Sequence, residues 1–389
     1  MKVAYISVGV FSCVDISLLA ELQKNADVYY FVPIMGKSLN ASAINIGKQY
    51  PKTGLFKAEI YPELQRFETM IDLDKMYVLN SCGKHGWSIR NFWVNIKLFL
   101  FLIKEEFDII HLTIYPYYFE FWKFFFRKKI VLTVHDPFQH SSEISKANNI
   151  YRKLSFSLFS NFILLNRTQK QEFIDFYHLR HKNIYDSQLS CYDYLHMYSD
   201  FKSNIIPTMK YILFFGRITA YKGLAYLLPA MQKIHQSFPD VQLVIAGSGK
   251  FPFDISSYQN LDYIKIYNRF ISDEEQALFM RNSLFVICPY TDATQSGVVM
   301  SAFAFNKVVV ATNVGALPEM VVDDRYGIII PPCSQDAIEE AVCNLLSDDN
   351  KLKRMEKNIQ EDYSYGENSW KKISKGVLEI YKDILNKRK

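Results

Sequence analysis

The sequence predicts an α/β protein built from two doubly wound parallel sheets, and three observations carry that prediction. Apolar runs of strand length alternate with amphipathic stretches of helix length along most of the chain. The alternation lapses between Cys191 and Pro207 and restarts at Tyr211. A chain of 389 residues also exceeds what one core ordinarily organises, while 49% hydrophobic residues suffice for two buried sheets. Domains of residues 1–207 and 208–366 follow.

In the first half, residues 2–8 form the opening strand, and Gly9-Val10-Phe11-Ser12 turns into a helix over residues 15–24. A second strand covers residues 27–33. Residues 34–87 resist parsing: a polar stretch with Gly36, Ser38, Asn40 and Ser42 gives way to the apolar run Met76-Tyr77-Val78-Leu79. Loops of this kind carry recognition, so binding specificity is expected there. A helix over residues 89–106 leads into a buried strand over 107–113. The aromatic stretch Tyr115–Lys129 reads as helical, and residues 129–134 form a strand ending at His135-Asp136-Pro137. A helix from Ser145 to Phe159, a strand over 161–165, a helix from Thr168 to Tyr177 and a short edge strand over 183–187 complete this half.

The second half opens with a strand over residues 211–216, a helix over 224–235 and a strand over 241–247. Gly247-Ser248-Gly249-Lys250 fits neither phosphate-loop fingerprint: Val244 stands where a glycine is required, and no hydroxyl follows Lys250. It reads as a tight turn, with Gly247 near any base pocket. A strand over 263–270 precedes Ser272-Asp273-Glu274-Glu275, a capping box that opens a helix to Arg281. Strands over 284–290 and 307–312 enclose a helix that starts behind Ser296. A strand over 326–332, a helix over 334–346 and a long amphipathic helix from Glu367-Asn368-Ser369-Trp370 close the chain.

Two stretches carry chemistry. In Cys288–Glu319, a strand, a polar loop and a helix follow one another, with Ser296 as N-cap and Gly297, Val298 and Val299 supplying first-turn N–H groups. Such a helix start receives a phosphate without a metal, or is merely one more capped βα turn. In Phe214-Phe215-Gly216-Arg217-Ile218-Thr219-Ala220-Tyr221-Lys222-Gly223, a strand ends in a glycine, and two cations stand five positions apart. A planar fork and a point charge suit a diphosphate, though two solvated surface cations would look the same. His135, just past a strand's carboxyl end, either touches a ligand or is a structural histidine in a turn.

Together, GRITAYKGL and CPYTDATQSGVVMSAFAFNKVVVATNVGALPE resemble the donor half of family-4 retaining glycosyltransferases of the GT-B fold, over most of residues 211–349. The resemblance implies two Rossmann-like domains facing a cleft, with residues 367–389 crossing back to the N-terminal domain and Trp370 as anchor. It implies that Gly216, Arg217 and Lys222 hold a nucleotide-sugar diphosphate, aided by Ser296, Gly297, Val298 and Val299. Backbone at Phe270 and Ile271 would face the nucleobase, and His135 would reach the sugar. The family's two glutamates fall on Ala293 and Ser301 here, and its second glycine in the next loop is Ala316, while Glu319 is kept. Asp292 is then expected near the sugar and Ser301 on the ribose, where a hydroxyl in place of a carboxylate forfeits about 1–2 kcal/mol. No cofactor or metal is expected, because in such enzymes the donor phosphate itself helps deprotonate the acceptor.

The implied activity is retaining transfer of a sugar from a nucleotide-diphosphate sugar to a glycan or lipid-linked saccharide, in surface polysaccharide biosynthesis. A nucleotide-sugar 2-epimerase of the same fold, or a catalytically silent nucleotide-sugar-binding protein, are the alternatives. A net charge of only +5 argues against a nucleic-acid partner, and Arg127-Lys128-Lys129 and Lys387-Arg388-Lys389 read as solvated faces. The six cysteines, Cys82 among them, show no paired or zinc-like spacing and fit reduced thiols in the cytoplasm. No signal-peptide core or spanning run is evident. Aromatic content stands out, with 30 Phe and 26 Tyr; two clusters, residues 92–102 and 115–129, mix aromatics with Lys or Arg. Helices of that kind lie in a bilayer interface or pack against a sheet, which leaves peripheral contact with the inner face of a membrane open.

Overall fold

In the computed structural model the described residues are 1–34, 40–41, 43–46, 52–81, 88–113, 120–135, 137–138, 146–165, 169–293 and 295–388, excepting the side chains of 40, 41, 146–149 and 151. Gly36, Ser38, Ser42, Cys82, Tyr115–Phe119, Asp136, Ser145 and Thr168 lie outside them. The chain divides into two compact units, Met1–Leu189 with Trp370–Lys389, and Ser190–Ser369.

The first unit runs β1 (Lys2–Ile6), α1 (Ser12–Leu22), β2 (Asp27–Ile34), β3 (Asn40–Ala41), β4 (Ile44–Asn45), β5 (Gly54–Lys57), β6 (Met76–Asn80), α2 (Ile89–Glu105), β7 (Ile109–Leu112), α3 (Trp122–Phe125), β8 (Ile130–Val134), α4 (Lys146–Leu158), β9 (Asn161–Leu164), α5 (Lys170–Tyr177) and β10 (Asn183–Asp186). Its sheet has the order β10-β9-β8-β7-β1-β2-β6-β5. All neighbours in it are parallel except β5, which pairs antiparallel with β6 and was not evident from the sequence. Strands such as Ile130–Val134 are buried on both faces, so they read as nearly continuous apolar runs rather than as alternating ones. The last helix, Trp370–Asn386, packs on α1 within this unit, and Trp370 is buried. The aromatic stretch is less helical than expected: among its described residues only Trp122–Phe125 forms an α-helix.

The second unit runs β11 (Lys210–Phe215), α6 (Leu224–Ser237), β12 (Val241–Gly247), β13 (Ile264–Asn268), α7 (Asp273–Asn282), β14 (Val286–Cys288), α8 (Gly297–Ala304), β15 (Val309–Thr312), α9 (Leu317–Val321), β16 (Gly327–Ile330), α10 (Gln335–Ser347) and α11 (Asp349–Gln360); the last helix of the chain is then α12. Its all-parallel sheet has the order β13-β12-β11-β14-β15-β16.

The unit begins at Ser190, earlier than the expected boundary at 208, because the segment taken for a connector is bonded into it. Tyr192 N–H donates to Met300 C=O (3.2 Å), and the Tyr267 hydroxyl donates to Ile205 C=O (2.5 Å). Arg281 donates to the carbonyls of Tyr198, Ser199 and Phe201. The capping box at Ser272 forms both its bonds, and Glu275 also holds Arg269 at 2.6 Å. Among the described residues no helix is long and apolar enough to cross a membrane.

Candidate functional site

In the second unit the strand order reverses between β11 and β14, and ligands of such sheets lie beyond the carboxyl ends at that reversal. β11 delivers the turn at Gly216 and a 3-10 turn over Ala220–Lys222, and β14 delivers the loop that enters α8. These segments abut. A Cβ on Gly216 would lie 3.5 Å from Cγ2 of Val298, and a Cβ on Gly247 only 1.9 Å from the Gly216 carbonyl oxygen. At φ +152° and under that contact, only glycine fits at 247. Thr291 N–H donates to Tyr221 C=O (2.8 Å), and Thr312 Oγ1 to Tyr290 C=O (2.6 Å), which tie the loop to both sides.

The two cations differ in setting. Arg217 is exposed and, among the described residues, has no ion-pair partner. Lys222 is largely enclosed, with Nζ 3.5 Å from the centre of the Tyr290 ring and 5.2 Å from that of Tyr221. Burial lowers its pKa to about 8; the thiol of Cys288 pulls it up and the charge of Arg217 pushes it down. Two positive groups therefore converge on one turn without a carboxylate partner among the described residues, an arrangement stabilised by an arriving anion.

Ser296 occupies the N-cap position of α8, but its hydroxyl does not cap the helix. It lies 3.3 Å from the buried Tyr290 hydroxyl instead, so the first turn has no acceptor from its own cap side chain. Gly297 is exposed, Val298 half-buried and Val299 buried. A Cβ on Gly297 would meet the Tyr192 hydroxyl at 2.8 Å, so that tyrosine covers the helix start. Tyr192 stands in an aperiodic stretch, and nothing in the sequence pointed to it.

Ser301 is buried, and its hydroxyl is already engaged. It donates to Gly297 C=O (2.9 Å) and accepts from Gln276 Nε2 (2.7 Å), which leaves it one lone pair and no proton for a ribose hydroxyl. Gln276 therefore stands beside Ser301, and a ribose hydroxyl could reach Ser301 only as a donor to that remaining lone pair. Replacing Ser301 by Ala is expected to cost about 1–2 kcal/mol of stability, read as a lowered melting temperature, because the Gln276 amide loses its acceptor. Asp292 is exposed and Ala293 half-buried. Phe270 is 70% exposed while Ile271 is buried. The Phe270 carbonyl accepts from Arg269 Nη1 at 2.9 Å.

His135 belongs to the first unit, at the carboxyl end of β8. Its ring stacks flat on Phe11 with centroids 4.0 Å apart, and its Nε2 is enclosed with no partner among the described residues. Burial pushes its pKa down to about 4, so the ring is neutral. His135 also lines a small cavity with His111, Thr133, Leu189 and Trp370. Sequence reasoning missed the network beside it. His111 bonds Tyr381 of α12 through Nδ1 (2.5 Å) and Thr133 through Nε2 (2.6 Å), and burial lowers its pKa to about 3. Asp15 accepts from the hydroxyls of Tyr5 (2.8 Å) and Tyr30 (3.2 Å) and is raised by burial to about 7.

Two Rossmann-like parallel-sheet units, one with a cationic turn at its strand-order reversal, define a two-domain α/β protein of the GT-B class. Residues 199–362 match the family model for glycosyl transferases group 1. An uncharacterised glycosyltransferase of Methanocaldococcus jannaschii is 30% identical over 176 residues, 44% of this chain and 45% of that protein. Alpha-maltose-1-phosphate synthase of Mycolicibacterium smegmatis is 30% identical over 194 residues, 44% of this chain and 48% of that protein. The chain thus spans about half the length of these curated relatives. Among solved structures, sucrose-phosphate synthase from Thermosynechococcus elongatus superposes with a TM-score of 0.67 at 14% identity, covering 100% of both chains. Anabaena HepE in complex with UDP gives 0.66 at 15% identity, covering 98% of this chain and 100% of that one. At such identities the likeness shows the fold.

Proposed function

We propose that this chain is a retaining glycosyltransferase that moves a sugar from a nucleotide-diphosphate sugar to a glycan or lipid-linked saccharide, in surface polysaccharide biosynthesis. The observation that carries the reading is Arg217, without an ion-pair partner among the described residues, beside the enclosed Lys222 and next to an α8 start that its own cap side chain leaves open. In this reading Arg217 forks onto the diphosphate, Lys222 supplies a point charge, and the N–H groups of Gly297, Val298 and Val299 complete the cradle. Asp292 takes a hydroxyl of the sugar, and Ser301 with Gln276 borders the ribose.

In the transfer, the bond from the anomeric carbon to the diphosphate oxygen breaks. A bond to the acceptor hydroxyl forms on the same face, and the acceptor proton passes to the departing diphosphate. Developing negative charge on that leaving group is what two cations and a helix start stabilise, so the reading needs no metal. We take the working location to be the cytoplasm, against the inner face of a membrane.

The reading is tested by melting the protein with UDP-, GDP- and ADP-sugars in turn and then following the donor that raises the transition. Proton NMR of the product should show the anomeric configuration of the donor retained. Inverted configuration would end the retaining assignment, an epimerised donor formed without acceptor would select the 2-epimerase, and binding without consumption would select the silent binder.

A further inference from the structure

The first unit carries an apolar surface that the transfer chemistry does not use. Among the described residues, seven of the seventeen exposed large apolar side chains fall on α2 and the α3 segment. On α2 these are Ile89, Trp93, Leu100 and Ile103, spaced by four, seven and three residues, so they form one stripe along the helix. The opposite face, Val94, Leu98 and Leu102, is fully buried, so the outward stripe is surplus to the core. On the α3 segment Phe121, Phe124 and Phe125 are exposed, the last two by 63% and 67%.

The two segments form one rigid surface. Trp122 Nε1 donates to Asn95 Oδ1 (2.9 Å), and Phe99 packs edge-on against both Phe121 and Phe125 at 5.3 Å. Charge follows the same surface. Arg90, Lys97 and Lys104 recur every seven residues beside the α2 stripe, and Arg127 and Lys128 follow α3; all five are exposed. The neighbouring acids are otherwise engaged: Glu105 pairs with Lys2 at 2.6 Å, and Glu120 with the buried Lys123 at 2.7 Å. The exposed Glu106 lies beyond the end of α2.

We propose that this surface docks on an anionic lipid bilayer, with Trp93, Leu100, Phe124 and Phe125 entering the headgroup boundary and the five cations meeting anionic headgroups. The proposal rests on the membrane location taken above and names its lipid chemistry and anchors. A water-exposed patch of this composition is disfavoured in a soluble protein, and aromatic and aliphatic side chains edged by Lys and Arg match a charged interface. A second copy of the chain fits less well: a twofold contact through this face would set each basic row against its own copy.

The test uses the whole chain in a flotation assay with phosphatidylcholine vesicles, alone or with half the lipid replaced by phosphatidylglycerol. Partitioning is expected to be at least tenfold stronger on the anionic vesicles and to fall with added salt. The triple variant Trp93→Ser, Phe124→Ser, Phe125→Ser changes only exposed positions. It should lose at least tenfold in binding with an unchanged melting temperature, and Arg127→Glu with Lys128→Glu should abolish the preference for phosphatidylglycerol. Equal binding to both vesicle types, an undiminished triple variant, or a lipid-free dimer that the triple variant dissolves would each overturn the proposal. Donor consumption with a water-soluble acceptor should be unchanged in the triple variant. Vesicle binding without any donor turnover would count against the transferase reading and leave the docking surface standing.

Discussion

Replacing Lys222 by alanine is expected to lower kcat/KM for the donor by about 10²–10³-fold while the melting temperature stays within a few degrees, since removing one preorganised charge from a developing oxyanion costs about 3–4 kcal/mol in the transition state. The pH dependence makes the prediction specific to this lysine. Its pKa is lowered to about 8 by burial, so the free enzyme loses the ammonium as pH rises through that value. kcat/KM should therefore fall about tenfold per pH unit above 8. A bound diphosphate favours the charged form, so the corresponding limb in kcat should lie at higher pH. Lys222→Arg keeps the charge at every pH and should flatten the limb, even if the larger head fits poorly over Tyr290. Persistence of the limb near pH 8 in that variant would show that another group titrates and would remove Lys222 from the assignment.

The second large effect concerns the backbone that aims this lysine. Gly223 sits at φ +74°, and a Cβ there would fall 1.7 Å from the Pro289 carbonyl oxygen. The obstacle is backbone, so Gly223→Ala forces the Tyr221–Gly223 turn away from the Pro289–Thr291 loop. A loss of about 3 kcal/mol or more follows, on the order of 6–12 °C in the transition of a unit this size. The Thr291 to Tyr221 bond of 2.8 Å should open with it, and donor turnover should fall as Lys222 is displaced. Gly376→Ala on α12 is the control. Nothing lies within 4 Å of its Cβ position, so alanine there should stabilise by about 0.5–1 kcal/mol through helix propensity alone. Calorimetry that found the two substitutions equivalent would refute the close approach at 223.

Much of the fold was legible in the sequence because parallel strands buried on both faces leave an unmistakable trace. Ile130–Val134 and Val309–Thr312 are apolar but for one threonine each, and both are strands. The box at Ser272 announced α7 because local hydrogen bonds fix it. What escaped notice depends on partners distant in sequence. β5 exists through pairing with β6, twenty residues on, and its own residues carry no period that would reveal it. The stretch after Ser190 lacks periodicity because it is held by Tyr267, Arg281 and Met300 rather than by a buried stripe of its own. At the site, the cations were legible as residue types at a spacing. Ser296, by contrast, looked like a cap, and its hydroxyl goes to Tyr290, a contact no spacing rule contains. Gln276 and Tyr192 reach the site only through the tertiary fold.

The first unit is discontinuous in the chain: its sheet is finished by residue 186, yet Tyr381, which bonds His111, comes from α12. The second unit lies wholly between these pieces. During synthesis, at about 5–20 residues per second, the ribosome must extend the chain through all of Ser190–Ser369 before α12 exists to cover α1. For on the order of ten seconds the nascent sheet waits with an uncovered flank. The unit translated second can therefore mature first, and the earlier one is exposed to chaperones until α12 emerges.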